Sequence, residues 1–290
     1  MDELLTVRDF IRYGVSRFNE AGISYGHGTG NAYDEAVYLV LETLHLPVDQ
    51  LEPYLDARLT GTECETVAGI IGKRIKTRKP AAYLTNKAYI QGIPFYVDER
   101  VIVPRSFLGE LLCTDSIGMD DPDAVKSVLD LCTGSGCLAV LAAHVFPNAT
   151  VHATDISSDA LDVAKRNVDD SCFKNRITLY KGDLFKPLRG NTYDLIIANP
   201  PYVDAAAMAD LPPEYTHEPK LALAAGKDGL DIVRRILAQA FDYLSPKGML
   251  LCEIGRGREL LESEYPHLDF LWLDTEESSG EVFRVQKPEF

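Results

Sequence analysis

The sequence predicts an α/β protein whose larger part is a doubly wound parallel sheet. Three observations carry this prediction. Strands and helices alternate from Val125 onward, a glycine-rich loop follows the first of these strands, and a rigid Asn-Pro-Pro-Tyr loop follows the fourth. Because open α/β sheets bind ligands at the carboxyl ends of their strands, the two loops predict a shared binding site there.

Composition and charge narrow the class of protein. The 290 residues are 46% apolar and 25% charged, which is typical of a globular chain long enough for a small and a larger domain. The formal charge of −15 argues against binding to nucleic acid through phosphate neutralisation, so no direct DNA binding is expected. The same charge is compatible with a basic protein partner.

The spacing of the cysteines and the sequence of the amino terminus indicate the compartment in which the protein is expected. The six cysteines form no C-x-x-C pair and have no ligand histidines nearby, so we expect reduced thiols and no metal site. The chain begins without the basic and then apolar segments of a signal peptide, and no apolar run approaches the ~20 residues of a membrane span. These features predict a soluble, cytoplasmic protein without a membrane partner.

Residues 1–80 are predicted to form a small helical domain. Apolar residues recur at helical spacing over 3–21, 31–44 and 63–77. This part shows no catalytic constellation, so it serves either packing or the binding of a macromolecular substrate. His27 lies in a glycine-rich loop without a visible acid or metal partner, which favours a structural role for it.

A change in the spacing of the apolar residues marks a linker between the two domains. From 81 to 104 the apolar residues alternate with polar ones around Gly92 and Pro94, which predicts a linking β-hairpin. A helix over 108–117 follows. The second domain is therefore predicted to cover residues 105–290.

The order of elements in the second domain follows from its apolar runs. Strands are predicted at 125–131, 150–154, 177–180 and 194–198, with a fifth at 247–254 after a helix over 228–244. A terminal pair at 267–273 and 281–286 completes the sheet. The segment 204–223 has too many prolines and alanines for a regular strand, so a loop near the site is expected there.

The glycine-rich loop differs from the usual phosphate-binding loops. It reads Asp130-Leu-Cys-Thr-Gly-Ser-Gly136, without the G-x-G-x-x-G of a dinucleotide site or the lysine of a P-loop. Small residues beside a carboxylate suit a cationic amino-acid group, such as the methionine end of S-adenosylmethionine. The second strand ends in Asp155, near the separation expected for a carboxylate that bonds ribose hydroxyls.

The loop after the fourth strand suits a planar amide or amine. Two prolines remove backbone donors and restrict Asn199 to an extended conformation. The Asn199 amide and the Pro200 carbonyl offer acceptors for the hydrogens of an NH2 group, and Tyr202 offers an aromatic face. Taken alone, the four residues are equally typical of an ordinary turn.

Together these motifs resemble those of the class I, S-adenosylmethionine-dependent methyltransferases, which have a Rossmann-like seven-stranded sheet. The shared features are the D-x-x-T-G-S-G loop, the acidic end of the second strand, the Gly-Asp pair after the third and NPPY after the fourth. NPPY occurs in enzymes that methylate a planar nitrogen. Two branches carry it, the N(6)-adenine DNA methyltransferases and the N(5)-glutamine methyltransferases of the HemK/PrmC type.

The remaining motifs resemble the second branch, and within it the PrmB-type enzymes that act on large-subunit ribosomal protein three. The similar stretches are residues 25–28, 80–88, 95–100, 103–106, 130–137, 217–219 and 225–230. Release-factor enzymes more typically show V-P-R-P-D-T-E at 103–109 and a glycine at Cys132. The resemblance implies methylation of the side-chain N(5) of a specific glutamine, and it implies that the last strand runs antiparallel.

The resemblance also implies a role for each motif residue. The residues whose backbone passes close to the methionine part of the cofactor are Cys132, Thr133, Gly134, Ser135 and Gly136. Asp130 would lie near the ammonium group and Asp155 would bond the ribose diol. Asp183 and Leu184 would flank the adenine.

The catalytic motif implied by the resemblance comprises Asn199, Pro200, Pro201 and Tyr202, with Asn199 beside both cofactor and substrate. Simpler roles exist for individual residues, since Asp130 is a plausible helix cap, Asp155 a turn former and Asp183 a surface carboxylate. Their occurrence at successive strand ends favours the cofactor site.

Three other functions stay open from the sequence. The runner-up substrate is the glutamine of a peptide-chain release factor. A DNA methyltransferase would flip a base into the same pocket, and the acidic charge counts against it. A cofactor-sensing protein without catalysis is disfavoured because the motif from Asn199 to Tyr202 is intact.

Overall fold

The computed structural model describes residues 3–119 and 121–287, which form a helical amino-terminal part, a two-stranded hairpin and a seven-stranded sheet. The predicted domain ends at residues 1 and 290 lie outside the described residues, and the division at 80 and 104 stays a prediction. Within the described ranges, no helix combines the length and the apolar character needed to cross a membrane.

Three helices make up most of the amino-terminal part. They are α1 (Val7–Ala21), α2 (Ala32–Thr43) and α3 (Gly61–Thr77). Helix α1 begins later than the apolar period suggested, because Thr6 caps it. The Thr6 hydroxyl accepts from the Asp9 amide while the Asp9 carboxylate accepts from the Thr6 amide. The same reciprocal cap, made by Thr60 and Glu63, starts α3.

A buried ion pair joins the helices to a distant segment of the chain. Arg74 of α3 donates to Glu35 of α2 at 2.7 Å, and both side chains are fully buried. Glu214 lies 3.6 Å from the same guanidinium and accepts from the Ser24 amide at 3.1 Å. The segment around Glu214 is thereby held against the helical part.

The linker is partly helical rather than extended throughout. Helix α4 (Ala81–Thr85) precedes the strands β1 (Lys87–Ile90) and β2 (Ile93–Tyr96). Pro80 occupies the cap position and Asn86 ends the helix in the left-handed conformation, at a φ of 53°. The prediction of a hairpin from residue 81 is therefore wrong for its first residues. The period-two pattern begins after this single helical turn.

The main sheet has seven strands, as expected. They are β3 (Ser127–Leu131), β4 (Thr150–Asp155), β5 (Ile177–Lys181), β6 (Tyr193–Ala198), β7 (Leu244–Glu253), β8 (Leu271–Asp274) and β9 (Ser279–Gln286). Their order is β5-β4-β3-β6-β7-β9-β8, with parallel pairs from β5 to β7 and β9 antiparallel to both neighbours. The order reverses between β3 and β6, so the loops after these strands meet at the switch point where such sheets bind ligands.

Helices cover both faces of this sheet. They are α5 (Leu108–Cys113), α6 (Cys137–Val145), α7 (Ser158–Asp170), α9 (Asp231–Tyr243) and α10 (Arg258–Glu264). The helix predicted over 108–117 is shorter, since a 3-10 turn at Asp115–Ile117 replaces its end. Two apolar clusters lie on the sheet faces, one packed around α6 and the other around α9.

The segment predicted as a loop at 204–223 contains short helical turns but no strand among the described residues. Helix α8 (Ala205–Asp210) is followed by 3-10 turns at Pro213–His217 and Lys220–Ala222. One bridge, between Val203 and Ala224, closes the segment at its base. It thus returns to the loop after β6.

Candidate active site

A cavity of about 250 Å³ opens at the carboxyl ends of β3, β4, β5 and β6. Four strand ends therefore supply one site, as the parallel sheet predicts. The predicted residues that line it are Cys132, Gly134, Asp155, Asp183, Leu184, Asn199 and Pro201.

The other predicted residues do not line this cavity. They are Asp130, Thr133, Ser135, Gly136, Pro200 and Tyr202. Asp130 is fully buried and accepts from the Thr133 hydroxyl at 2.5 Å. In this arrangement Asp130 supports the glycine-rich loop from behind.

Asp155 ties the glycine-rich loop to helix α7. One carboxylate oxygen accepts from the Gly134 amide at 2.9 Å, and the other accepts from the Ser157 amide at 2.8 Å. Burial raises the pKa of Asp155, although these backbone bonds oppose the rise. Each carboxylate oxygen has two lone pairs, so Asp155 retains acceptor capacity toward the cavity.

The glycine-rich loop needs left-handed backbone at alternate positions. The φ angles are 59° at Cys132, 55° at Gly134 and 78° at Gly136. A Cβ on Gly136 would lie 3.1 Å from the Ala164 Cβ, so this glycine allows α7 to pack closely on the loop. Cys132 adopts the same conformation with a side chain, and such local strain is concentrated at functional sites.

The lining fits an adenosyl group joined to an amino acid. A Cβ on Gly134 would meet no atom closer than the Cys132 carbonyl oxygen at 4.0 Å, so the bare backbone leaves room for a bound group. The Asp155 and Asp183 carboxylates provide acceptors for hydroxyl or amino hydrogens. Leu184 and Ile232 add apolar walls of the kind that accept a planar ring.

Sequence reasoning missed several lining residues. Ile156 directly follows Asp155, lines the cavity and is 53% exposed, so its apolar side chain is available to contact a bound group. Arg235 of α9 donates to Asp183 at 2.6 Å, and Lys186 donates to it at 2.7 Å. These two cations hold the pKa of Asp183 below its usual range. No local pattern links Arg235 to Asp183.

Asn199 is available to a ligand. It lines the cavity, and its side-chain amide makes no hydrogen bond to the residues that the structure describes, 3–119 and 121–287. Pro200 is buried, whereas Pro201 lines the cavity beside Asn199. The side chain of Asn199 therefore offers one acceptor and one donor group at the edge of the predicted cofactor site.

Tyr202 faces the end of β7. Its hydroxyl donates to Glu253 at 3.1 Å, and burial is the main cause that raises its pKa. Glu253 was missed from the sequence, where the only signal is a carboxylate at the end of an apolar strand. Burial raises the pKa of Glu253 to about 7.

A second cluster of polar side chains connects the end of the linker to the segment 204–223, which borders the cavity. Arg105 donates to both oxygens of the buried Glu218, at 2.6 and 2.9 Å. His27 lies beside this pair, with its Nε2 at 3.7 Å from Glu218 and its ring centroid 4.2 Å from that of Tyr215. Burial lowers the pKa of His27 to about 4, so it is neutral near pH 7. Its position favours the structural role inferred from sequence.

Asp130 should make stability depend on pH. Its folded-state pKa of about 7 is raised by burial above the unfolded value, so its contribution is present below about pH 4 and is lost as the pH rises to 7. The free energy of unfolding of the wild type, relative to Asp130→Asn, should fall by about 1.4 kcal/mol between pH 6 and pH 8. Urea titrations at both pH values measure this. An unchanged difference would mean that Asp130 is ionised in the fold.

Comparisons with known proteins agree with this geometry. Residues 116–213 match the family described as methyltransferase small domain. A ribosomal protein uL3 glutamine methyltransferase from Bradyrhizobium diazoefficiens is 59% identical, over 98% of this chain and 91% of the relative. An enzyme of the same name from Burkholderia pseudomallei is 55% identical, over 98% of this chain and 95% of the relative.

Similarity to solved structures is limited to the fold. The catalytic domain of hMettl16 in complex with MAT2A 3′UTR hairpin 1 is 16% identical, with a TM-score of 0.52 over 87% of this chain and 90% of that one. The sequence relatives, by contrast, match almost end to end at more than half identity. The chain therefore belongs to the ribosomal protein uL3 glutamine methyltransferase family.

Proposed function

We propose that this protein transfers a methyl group from S-adenosylmethionine to the side-chain N(5) of a glutamine in ribosomal protein uL3. The observation that carries the proposal is the unpartnered amide of Asn199 at the edge of the cavity, among the described residues of a chain 59% identical to an enzyme named for that reaction. The acidic charge of −15 is complementary to a basic protein substrate.

The cofactor would bind along the four strand ends. Asp155 would accept from the ribose hydroxyls, Asp183 and Leu184 would flank the adenine, and the loop from Cys132 to Gly136 would pass the methionine part. Asp130, which lies behind this loop, would influence the ammonium group through Thr133 and the loop backbone. The bound cofactor supplies an electrophilic methyl group on a sulfonium.

The residues of the motif would activate a poor nucleophile by positioning it. The nitrogen lone pair of an amide is delocalised into its carbonyl. The Asn199 side-chain oxygen and the Pro200 carbonyl would accept the two N–H hydrogens, which localises electron density on nitrogen and aims it at the methyl carbon. This contribution is orientation plus electrostatics. No general base is needed before transfer, because the proton can leave afterwards. Tyr202 would pack beside the amide plane.

The protein substrate requires a larger surface than the cavity. The helical amino-terminal part would hold uL3, because the buried contacts of Glu214 and Glu218 connect that part and the linker to the segment bordering the cavity. Ribosomal protein is enclosed by RNA in finished subunits, so methylation would precede the completion of assembly in the cytoplasm. Equal labelling of mature large subunits would contradict this timing.

A transfer assay with methyl-labelled S-adenosylmethionine tests the proposal. The acceptors are purified uL3, a peptide-chain release factor and duplex DNA, and mass spectrometry locates the label. We expect label on a single glutamine of uL3. Label on the release factor alone would keep the mechanism and change the substrate, whereas label on DNA alone would show that the pocket binds a base.

A further inference from the structure

The carboxylate of Glu253 collects donors from two separate segments of the chain. One oxygen accepts from the Tyr202 hydroxyl at 3.1 Å. The other accepts from the Ser106 hydroxyl at 2.6 Å and from the Phe107 amide at 3.0 Å. The residue is 1% exposed at the end of β7, so these hydrogen bonds replace water around a group that is costly to bury.

Two glycines, one just after β7 and one just before α9, pack against the ring and the backbone of Tyr202. A Cβ on Gly255 would lie 2.8 Å from the Tyr202 ring, so the ring packs directly on the backbone there. A Cβ on Gly229 would lie 2.4 Å from the Tyr202 carbonyl oxygen. Glu253, Gly255 and Gly229 thus form a socket, and within it Glu253 alone makes a directional bond to the phenol.

The two segments joined by Glu253 form different walls of the cavity. Asn199 and Pro201 line it from the loop after β6, and Val101 and Ile102 line it from the linker a few residues before Ser106. A displacement at Glu253 would therefore change the distance between these walls. Because transfer needs the acceptor nitrogen in line with the methyl carbon, a shift of about 1 Å costs on the order of 10²-fold in rate.

We propose that Glu253 is a positioning residue for methyl transfer, which acts through Tyr202 and Ser106 to hold the Asn199–Tyr202 loop against the linker segment. The proposal rests on the proposed function, since it takes Asn199 to be the residue that meets the substrate amide. Glu253 is buried and does not line the cavity, so it would act on the site only through these partners.

Kinetics of four variants test this role. Glu253→Ala should lower kcat by about 10²-fold while the affinity for S-adenosylmethionine stays within about threefold. Glu253→Gln should restore most of kcat, because its oxygen can accept from Ser106 and its NH2 group can donate to the Tyr202 hydroxyl. Tyr202→Phe alone should also lower kcat. Adding it to Glu253→Ala should cause little further loss, since both changes remove the same hydrogen bond between Tyr202 and Glu253.

Hydrogen exchange supplies a measurement that does not depend on the acceptor. In Glu253→Ala the backbone amides of the non-proline residues in 199–204 and 103–108 should exchange at least about tenfold faster. The matched control is Asp194→Asn, which alters a half-buried carboxylate with its own serine donors at the opposite end of β6. It should change neither the exchange of these two segments nor kcat.

Failure of the positioning role and failure of the proposed function would give different results. Wild-type kcat or unchanged exchange in Glu253→Ala, or fully additive losses in the double variant, would overturn the positioning role. If the wild type labels no glutamine of uL3, the proposed function fails, and the exchange comparison still decides whether Glu253 holds the loop.

Discussion

Replacing Asn199 with alanine should abolish methyl transfer and leave cofactor binding within a few-fold of wild type. The amide of Asn199 faces the cavity without a hydrogen-bond partner among the described residues, so its loss leaves the surrounding fold intact. In the proposed mechanism this side chain accepts one N–H hydrogen of the substrate amide, an interaction that strengthens as the nitrogen attacks. We expect kcat to fall by about 10³-fold or more, as when one preorganised polar group of an active site is removed.

Two further variants serve as a conservative replacement and as a control for Asn199→Ala. Asn199→Asp keeps an acceptor oxygen and should retain part of the activity, because the mechanism asks for an acceptor at this position. Asn191→Ala removes an exposed asparagine from the turn before β6, where its side chain bonds the Leu188 carbonyl, and should have no effect on kcat. Calorimetry with S-adenosylmethionine accompanies each assay. If cofactor affinity collapses along with kcat in Asn199→Ala, the proposed division between substrate and cofactor residues is wrong.

Replacing Asp155 with alanine should act mainly through the cofactor. The change would remove the acceptor for the ribose hydroxyls, and it would release the Gly134 amide, which the carboxylate holds at 2.9 Å. In the proposed site the carboxylate accepts from the two ribose hydroxyls. Charged hydrogen bonds contribute about 1.5–3 kcal/mol each, so losing these two predicts a fall in affinity on the order of 10²-fold or more. Isothermal titration with S-adenosylmethionine measures this directly.

The control for Asp155 lies in the first turn of the adjacent helix. Asp159 is exposed at the start of α7, and Asp159→Ala removes an equal charge without touching the cavity. Its affinity for the cofactor should match that of wild type. At saturating cofactor, Asp155→Ala should recover much of its kcat, because the substrate side of the site is unchanged. Wild-type affinity in Asp155→Ala would show that the carboxylate serves only the loop.

The elements of the sheet domain were predictable because their signals are local. Buried parallel strands appear as short apolar runs, and the breaks between them carry Gly, Pro or Asp. The strand ends at Leu131, Asp155 and Ala198 agree with the structure within a residue. The carboxyl ends of parallel neighbours meet at one edge, so the gathering of Cys132, Asp155 and Asn199 around one cavity followed from their order in the chain.

Other features were beyond local reasoning. Ala81–Thr85 was predicted to be part of an alternating, extended run. It forms a short helix instead, because Pro80 begins it and Asn86 ends it in the left-handed conformation. Glu253 meets Ser106 across the fold, and Glu218 meets Arg105 in the same way. Asp130 carries the same sequence signal as the lining residues and lies behind the loop, where it bonds Thr133.

The sequence by itself determined the strands of the sheet, the loops that follow them along the chain and the residue types that a methyl-transfer site needs. Periodicity, turn residues and motif spacing all act over a few positions of the chain. Only the tertiary structure decided which of those residues face the cavity and which support it, and it alone paired Tyr202 with Glu253. The physical reason is that burial and hydrogen-bond partners depend on packing between segments distant in the chain, for which no local pattern carries a signal.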